Sequence, residues 1–275
     1  LTPSNDVAKV NKLLKETFDA HMLIARFGSP SFGDVCNIKA QLERSKINSV
    51  LTMAEFLKIA RILRALRGLK EWKERSNGIK TVLDPMFNAI NPNKYFEEKI
   101  FNSIISENEM ADDASVELSL IRRKIRKLSD DVRVKMDKII HSVHYQKFLQ
   151  EPIVTIRSGR FVVPVKSEYR SEISGLVHDT SSSGATVFIE PMAVVELNNE
   201  IKLLESKEKT EIEKILSDLT IEAAGFSDNI IKGYDNAVKI DIIFSKAHLA
   251  YKMDASLPII NDLGYLDIKK ARHPL

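Results

Sequence analysis

The residues that could do chemistry gather in one short reach: His178-Asp179, followed by Ser181, Ser182 and Ser183. A base, an acid and a hydroxyl are the parts of a hydrolytic triad. A triad is made by spatial convergence, however, and neighbouring residues of a strand point to opposite faces. A hydrogen-bonded loop accounts for the same residues. Ser183-Gly184-Ala185-Thr186 is no phosphate cradle either, because the pattern Gly-x-x-x-x-Gly-Lys-Ser/Thr occurs nowhere in the chain. His141 and His144 stand three apart on a helical pattern, the spacing of a metal pair, but no third ligand accompanies them and a plain helix surface is the simpler reading. Cys36, the single cysteine, has no disulfide partner and reads as a small core residue. The stretch is therefore expected to be neither catalytic nor a cofactor or metal site, and the chain is read as having no enzymatic activity of its own.

Composition narrows the classes that remain. At 275 residues, with 44% hydrophobic and 29% charged, the chain can bury a proper core. Lysine and arginine total 41 against 38 acids, so a uniformly basic nucleic-acid coat is excluded and any basic surface is local. No apolar run approaches the roughly 20 residues of a membrane span, and the opening Leu-Thr-Pro-Ser-Asn-Asp is not a signal peptide. With one cysteine, this fits a reducing, cytoplasmic setting and no membrane partner. The start at Leu1 and the close at Arg272-His273-Pro274-Leu275 read as those of an expressed piece of a longer protein.

The elements around the stretch are helical. Ser4 to Asp19 opens on a cap and spaces Val7, Val10, Leu14 and Phe18 along one face. Gly28, Pro30 and Gly33 break the pattern, and Asp34 can cap a short helix over 35–45. Thr52 starts a helix with Phe56, Ile59, Leu63 and Leu66 on one side, ending at Ser76-Asn77-Gly78. Next, Leu118, Ile121, Ile125, Leu128, Val132, Met136, Ile139 and Val143 alternate steps of three and four, a coiled-coil seam on the order of 40 Å long. A helix that long needs a partner. Leu197, Ile201, Leu204, Ile212, Ile215 and Leu219 supply it after Pro191, with Glu208 interrupting the seam. Gly225 and Gly233 are expected to break the return before a last helix, Asn236 to Tyr251, and Leu263 to Ile268 reads as a strand without partners.

Between the two seams, residues 153–157 and 160–166 read as a hairpin about Ser158-Gly159. Residues 176–178 and 186–189 read as a second pair, and Pro164 is expected on an edge strand or a bulge. The fold class is thus mainly α: a helical core and a long antiparallel coiled-coil lever carrying a small antiparallel β tip. Arg157, Arg160, Lys166 and Arg170 cluster on the tip; Arg122, Arg123, Arg126 and Lys127 lie on the outgoing helix. These eight are candidate contacts to a DNA or RNA backbone, and a solvated basic surface explains the same charges.

The run Arg160-Phe161-Val162-Val163-Pro164-Val165-Lys166, then Gly175-Leu176-Val177-His178-Asp179, Ser182-Ser183-Gly184-Ala185-Thr186, Phe188-Ile189-Glu190-Pro191 and Glu196-Leu197-Asn198-Asn199-Glu200 resembles the bacterial MutS paralogues that carry an Smr nuclease domain, the second MutS branch. Elsewhere the likeness is one of layout, and Ala271 to Leu275 is similar to the segment that opens the MutS ATPase domain. The resemblance implies residues 1–112 as helical core, 113–150 as outgoing lever, 151–192 as clamp-like tip and 193–224 as returning lever. Residues 225–275 would then be the core return and the start of a linker to an ATPase domain. It further implies a homodimeric ATPase using ATP and Mg, with an Smr endonuclease, roles in restraining recombination or rescuing collided ribosomes, and a lever coupling ATP state to nucleic-acid grip. Phe96-Glu97-Glu98 and Phe188-Ile189-Glu190 match the Phe-x-Glu of mismatch reading, but so short a pattern carries little weight, and neither lies in an N-terminal reading domain. The alternative is a protein-interaction scaffold that docks on a dimer partner or a ribosome without touching nucleic acid.

Overall fold

The computed structural model describes residues 3–33, 35–76, 78–269 and 271. The proposed Asp34 cap, Asn77 of the helix-ending turn and Arg272 to Leu275 lie outside the described residues. The chain is mainly α, with small antiparallel sheets, and divides into two units: Leu1–Glu109 with Leu216–Leu275, and Met110–Ile215.

The first unit contains α1 (Val7–Phe27), α2 (Lys39–Lys46), α3 (Met53–Arg75), α4 (Asp84–Asn88), α5 (Lys94–Ser103) and a short strand, β1 (Ile104–Ser106). Helix α3 starts where Thr52 accepts from the Glu55 amide and Glu55 accepts from the Thr52 amide, a reciprocal cap that satisfies two orphan donors. Its apolar face is buried throughout, Phe56, Ile59, Leu63 and Leu66 included. Phe87, Trp72 and Phe244 meet around it, with Phe244 edge-on to the other two. Helix α1 forms as expected, capped by Asp6, with Ala20 and Leu23 as its buried apolar residues and Phe18 37% exposed. One expectation fails here. Cys36 is half-buried rather than in the core.

The second unit contains α6 (Val116–Ile140), α7 (Val143–Gln146), β3 (Thr155–Arg157), β4 (Arg160–Lys166), a 3-10 turn (Ser167–Glu172), β5 (Gly175–Thr180) and β6 (Thr186–Pro191). The short strand β2 (Glu109–Met110) pairs with β1. The last helix, α8 (Met192–Lys252), begins in this unit directly after β6 and ends in the first.

Helices α6 and the first part of α8 lie antiparallel. Lys135 Nζ donates to the Ala193 carbonyl, Lys124 pairs with Glu200, Arg122 with Glu208, and Ser115 donates to Glu211, so one number falls as the other rises. Leu128, Val132, Met136, Val194, Ile201 and Leu204 share their core with Val163, Val165, Val187 and Ile189 of the sheet. The seam departs from its expected end. Helix α6 stops at Ile140, which takes the buried position, and Val143 is left exposed beyond the break at His141 and Ser142.

Neither Gly225 nor Gly233 interrupts α8, which runs without a break to Lys252. Packing overrides the helix penalty of glycine, and at Gly233 an added Cβ would sit 2.8 Å from Leu66. Leu263 to Ile268 forms no strand; Asn261 instead accepts from the Leu263 amide and donates to the Tyr265 carbonyl in a local turn.

Candidate nucleic-acid interface

The tip is a four-stranded sheet in the order β3-β4-β6-β5, all antiparallel. Ser158 and Gly159, both at positive φ, make the two-residue turn between β3 and β4. Pro164 is on neither an edge nor a bulge: β4 is interior, and Pro164 pairs with Phe188 of β6. The Gln150 amide donates to the Pro164 carbonyl and Lys166 donates to Phe148, so alternate residues of β4 face the side where β3 has ended. The absent N–H of Pro164 therefore costs β6 no ladder bond. The bulge lies instead in β5, between Val177 and Asp179, at His178.

That bulge aims His178 at the centre of the tip. Its Nε2 meets Oε2 of Glu190, whose side chain is 0% exposed. Glu190 also accepts from Arg160 Nη1 at 2.9 Å and from Asn198 Nδ2 at 2.7 Å. Asn198, on α8, donates its other bond to the Phe161 carbonyl at 3.3 Å, and Arg160 Nη2 donates to Asn199 at 2.7 Å. A buried carboxylate is tolerable only when its lone pairs are met in this way. The hub ties three strands to a helix, and Gly175 makes room for it: a Cβ there would lie 2.2 Å from the Glu190 carbonyl. Reading the residues one by one gave Glu190, Asn198 and Asn199 no role. The signal available was their presence, with Arg160 and His178, in one motif string.

His178 is thereby separated from the hydroxyls. Ser181 accepts from the Thr186 amide and lies 3.3 Å from Ser183, closing the β5–β6 turn, while Asp179 holds the Thr180 amide and Arg157. His141 bonds the Asp137 carbonyl, and His144 meets the Tyr145 and Phe148 rings edge-on.

The eight candidate cations divide into three groups. Arg160 is an internal tie. So is Arg122, which bonds Glu208 at 2.7 Å, Asp112 at 2.7 Å and the Met110 carbonyl. Burial opposes the charge of Arg122, but the bonds to Glu208 and Asp112 outweigh it and raise its pKa. Arg126 reaches the same Asp112 at 2.8 Å; together Arg126 and Arg122 hold that carboxyl below its ordinary range. Arg157 lies 4.2 Å over the Phe188 ring, and Lys166 donates to the Lys147 carbonyl at 3.2 Å. Arg123, Lys127 and Arg170 are exposed and bond no side chain among the described residues. Arg123 and Lys127 stand four apart on α6, on one face.

No family model matches the chain. Over its full length it is 46% identical to the endonuclease MutS2 of Acetivibrio thermocellus, 43% to that of Ruminiclostridium cellulolyticum and 40% to that of Clostridioides difficile. The chain spans 35% of the length of each of these relatives.

Proposed function

From the premise that the chain belongs to the MutS2 branch of MutS paralogues, we propose that its second unit is a clamp and lever for a nucleic-acid backbone, DNA or RNA. The observation that carries this reading is the division among the basic residues: Arg123, Lys127 and Arg170 have charge to spare for phosphate, while Arg122 and Arg160 spend theirs inside. Arg157, Lys166 and Arg126 would add contacts at the edges. In the longer protein the lever would transmit the state of an ATPase, with its ATP and Mg, to the grip of the tip. The relatives are named endonucleases; that activity, homodimer formation, a cytoplasmic location and service in recombination control or on ribosomes are proposed for the longer protein on the same premise.

The test is a mobility shift across a salt series with branched and duplex DNA and with structured RNA. Arg123→Glu, Lys127→Glu and Arg170→Glu together should abolish binding, and each neutralised contact should lower the salt slope by about 0.9 on duplex DNA. Arg160 is left out because its reversal would break the Glu190 hub. Shifts unchanged by the triple reversal would remove these residues as the contact site.

A second reading has its own support. Ile153, Ile156, Leu176 and Met192 are apolar yet exposed on or beside the tip. They suit a protein surface, on a dimer partner or a ribosome, better than phosphate. Ribosome binding that survives high salt and is lost in Ile156→Ser/Leu176→Ser, with no binding to free nucleic acid, would favour it.

A further inference from the structure

A groove of about 420 Å³ opens on the first unit, far in sequence from the basic tip. Its floor is a stripe of α3: Arg61, Arg64, Ala65 and Gly68 fall at i, i+3, i+4 and i+7, one face of a helix. The two small residues leave the space that a larger side chain would fill. A Cβ built on Gly68 meets no atom within 4 Å. Ser31 and Gly33 line the groove from the α1–α2 connection, and Phe101 lines it from α5.

The charge in this groove is fixed and uncompensated. Glu97, 2% exposed, accepts from Arg64 Nε at 3.1 Å and from Arg67 Nε and Nη2, both at 2.9 Å. The Arg64 plane also lies 4.0 Å over the Phe101 ring. Arg64 is thus held by one edge and one face, and its Nη1 and Nη2 donate to no other group among the described residues. Arg67 is engaged further by Glu71. Arg64 and Arg67 therefore take up both carboxylates, and Arg61, exposed at the groove with no partner among the described residues, carries the excess charge.

We propose that this groove is a binding site for a phosphate group. Two guanidiniums one turn apart, one already oriented by a buried carboxylate and an aromatic ring, match the fork geometry that phosphate oxygens accept. The volume exceeds what a bare phosphate needs and falls within the range of small-ligand clefts, so the phosphate comes with an organic group attached. The Arg64 guanidinium, stacked on Phe101, offers its other face as a platform for a flat group such as a base. A free mononucleotide and a nucleic-acid backbone both supply this chemistry, and the experiment separates them. The site does not depend on the clamp reading.

Titration calorimetry of the chain with adenosine 5′-monophosphate and with a thymidine tetranucleotide tests the proposal. At least one probe should bind, with Arg61→Ala weakening it about tenfold or more, the scale of one charge-assisted bond. Gly68→Leu should fill the groove and block binding without lowering Tm, because glycine is the poorer helix former; Gly68→Ala is the folded control that retains binding. Preference for the monophosphate assigns a nucleotide site, and preference for the tetranucleotide assigns a backbone contact. The loss caused by Arg61→Ala should be equally large whether the clamp arginines and lysine of the second unit are intact or reversed, so failure here is distinct from failure of the clamp. No binding of either probe at millimolar concentration, or binding indifferent to Arg61→Ala and Gly68→Leu, overturns the proposal.

Discussion

Glu97 and Glu190 are both carboxylates withdrawn from solvent and held by arginine, yet the units around them are built differently. In the first unit, Glu97 sits beside a core that is already complete in apolar terms, with Trp72, Phe87, Phe96 and Phe244 packed against α3 and its neighbours. Arg64 and Arg67 approach from the solvent side and keep part of their hydration. In the second unit, Glu190 replaces part of the core. Two helices and a four-stranded sheet share an apolar cluster that includes Val132, Met136, Val163 and Val165, and beside it the polar hub fixes how β4, β5 and β6 meet the start of α8. In the second unit a directional polar hub adds to apolar packing in setting register; in the first the buried carboxylate lies at the margin of the packed core.

The largest expected effect separates the two. Glu190→Ala leaves Arg160 and Asn198 without their acceptor inside the tip and should cost about 3–5 kcal/mol, the range for breaking a buried charge pair. Hydrogen exchange should show the loss over 155–191 while amides of 53–75 keep their protection. Equal loss in both would mean that the units do not unfold separately and would sink the contrast. The mirror substitution is Phe244→Leu. It should cost roughly 1–3 kcal/mol, read in the first unit, because the edge-on contacts to Trp72 and Phe87 are lost while most of the volume remains.

This difference also explains what could be read from the sequence. Apolar periodicity located α3, the paired seams and both hairpins, because each depends on local spacing and on burial that the residue types announce. Errors arose where the surroundings override local preference: at Val143, stranded past the end of α6; at Pro164, interior because its missing donor faces a strand that has ended; and at Leu263 to Ile268, which joins no sheet. Of the eight candidate cations, charge alone could not separate Arg160 and Arg122 from Arg123, Lys127 and Arg170. The discriminating fact is the position of Glu190, Glu208 and Asp112, each distant in sequence from the arginine it meets or set by the turn of a helix. Arg61 was missed because no motif marks it; the groove exists only once α3, α5 and the α1–α2 connection are together.

Acid sharpens the same contrast by a smaller margin. Burial raises the Glu97 pKa, but hydrogen bonds from Arg67 and Arg64 win and hold it below its ordinary 4.5. Glu55, through Thr52 and Arg44, and Asp84, through Thr81 and Lys73, are held down against burial in the same unit. A carboxyl with a depressed folded pKa stabilises the fold above its unfolded pKa, and that contribution is lost as pH falls through the folded value. The first unit should therefore weaken progressively below about pH 4.5. In Glu97→Gln, urea midpoints should be lower at pH 7 and should fall less steeply between pH 5 and pH 3. A slope equal to that of the parent chain would show that the arginine pairs on Glu97 do not contribute to the acid response.

The smallest effect is a difference in sign between two glycines of α8. Both lie inside an unbroken helix, where glycine is disfavoured relative to alanine by about 0.5–1 kcal/mol. At Gly225 a Cβ meets nothing within 4 Å, so Gly225→Ala should stabilise the first unit by about that amount. At Gly233 the same Cβ would stand 2.8 Å from Leu66 Cδ1, inside the packed face of α3. Leu66 is 1% exposed and has little space to yield, so Gly233→Ala should destabilise despite the gain in helix propensity. Thermal melts of the two single variants decide it: Tm up for Gly225→Ala and down for Gly233→Ala. If both rise, Leu66 moves aside, and the first unit is less tightly packed than its contrast with the hub-bound tip requires.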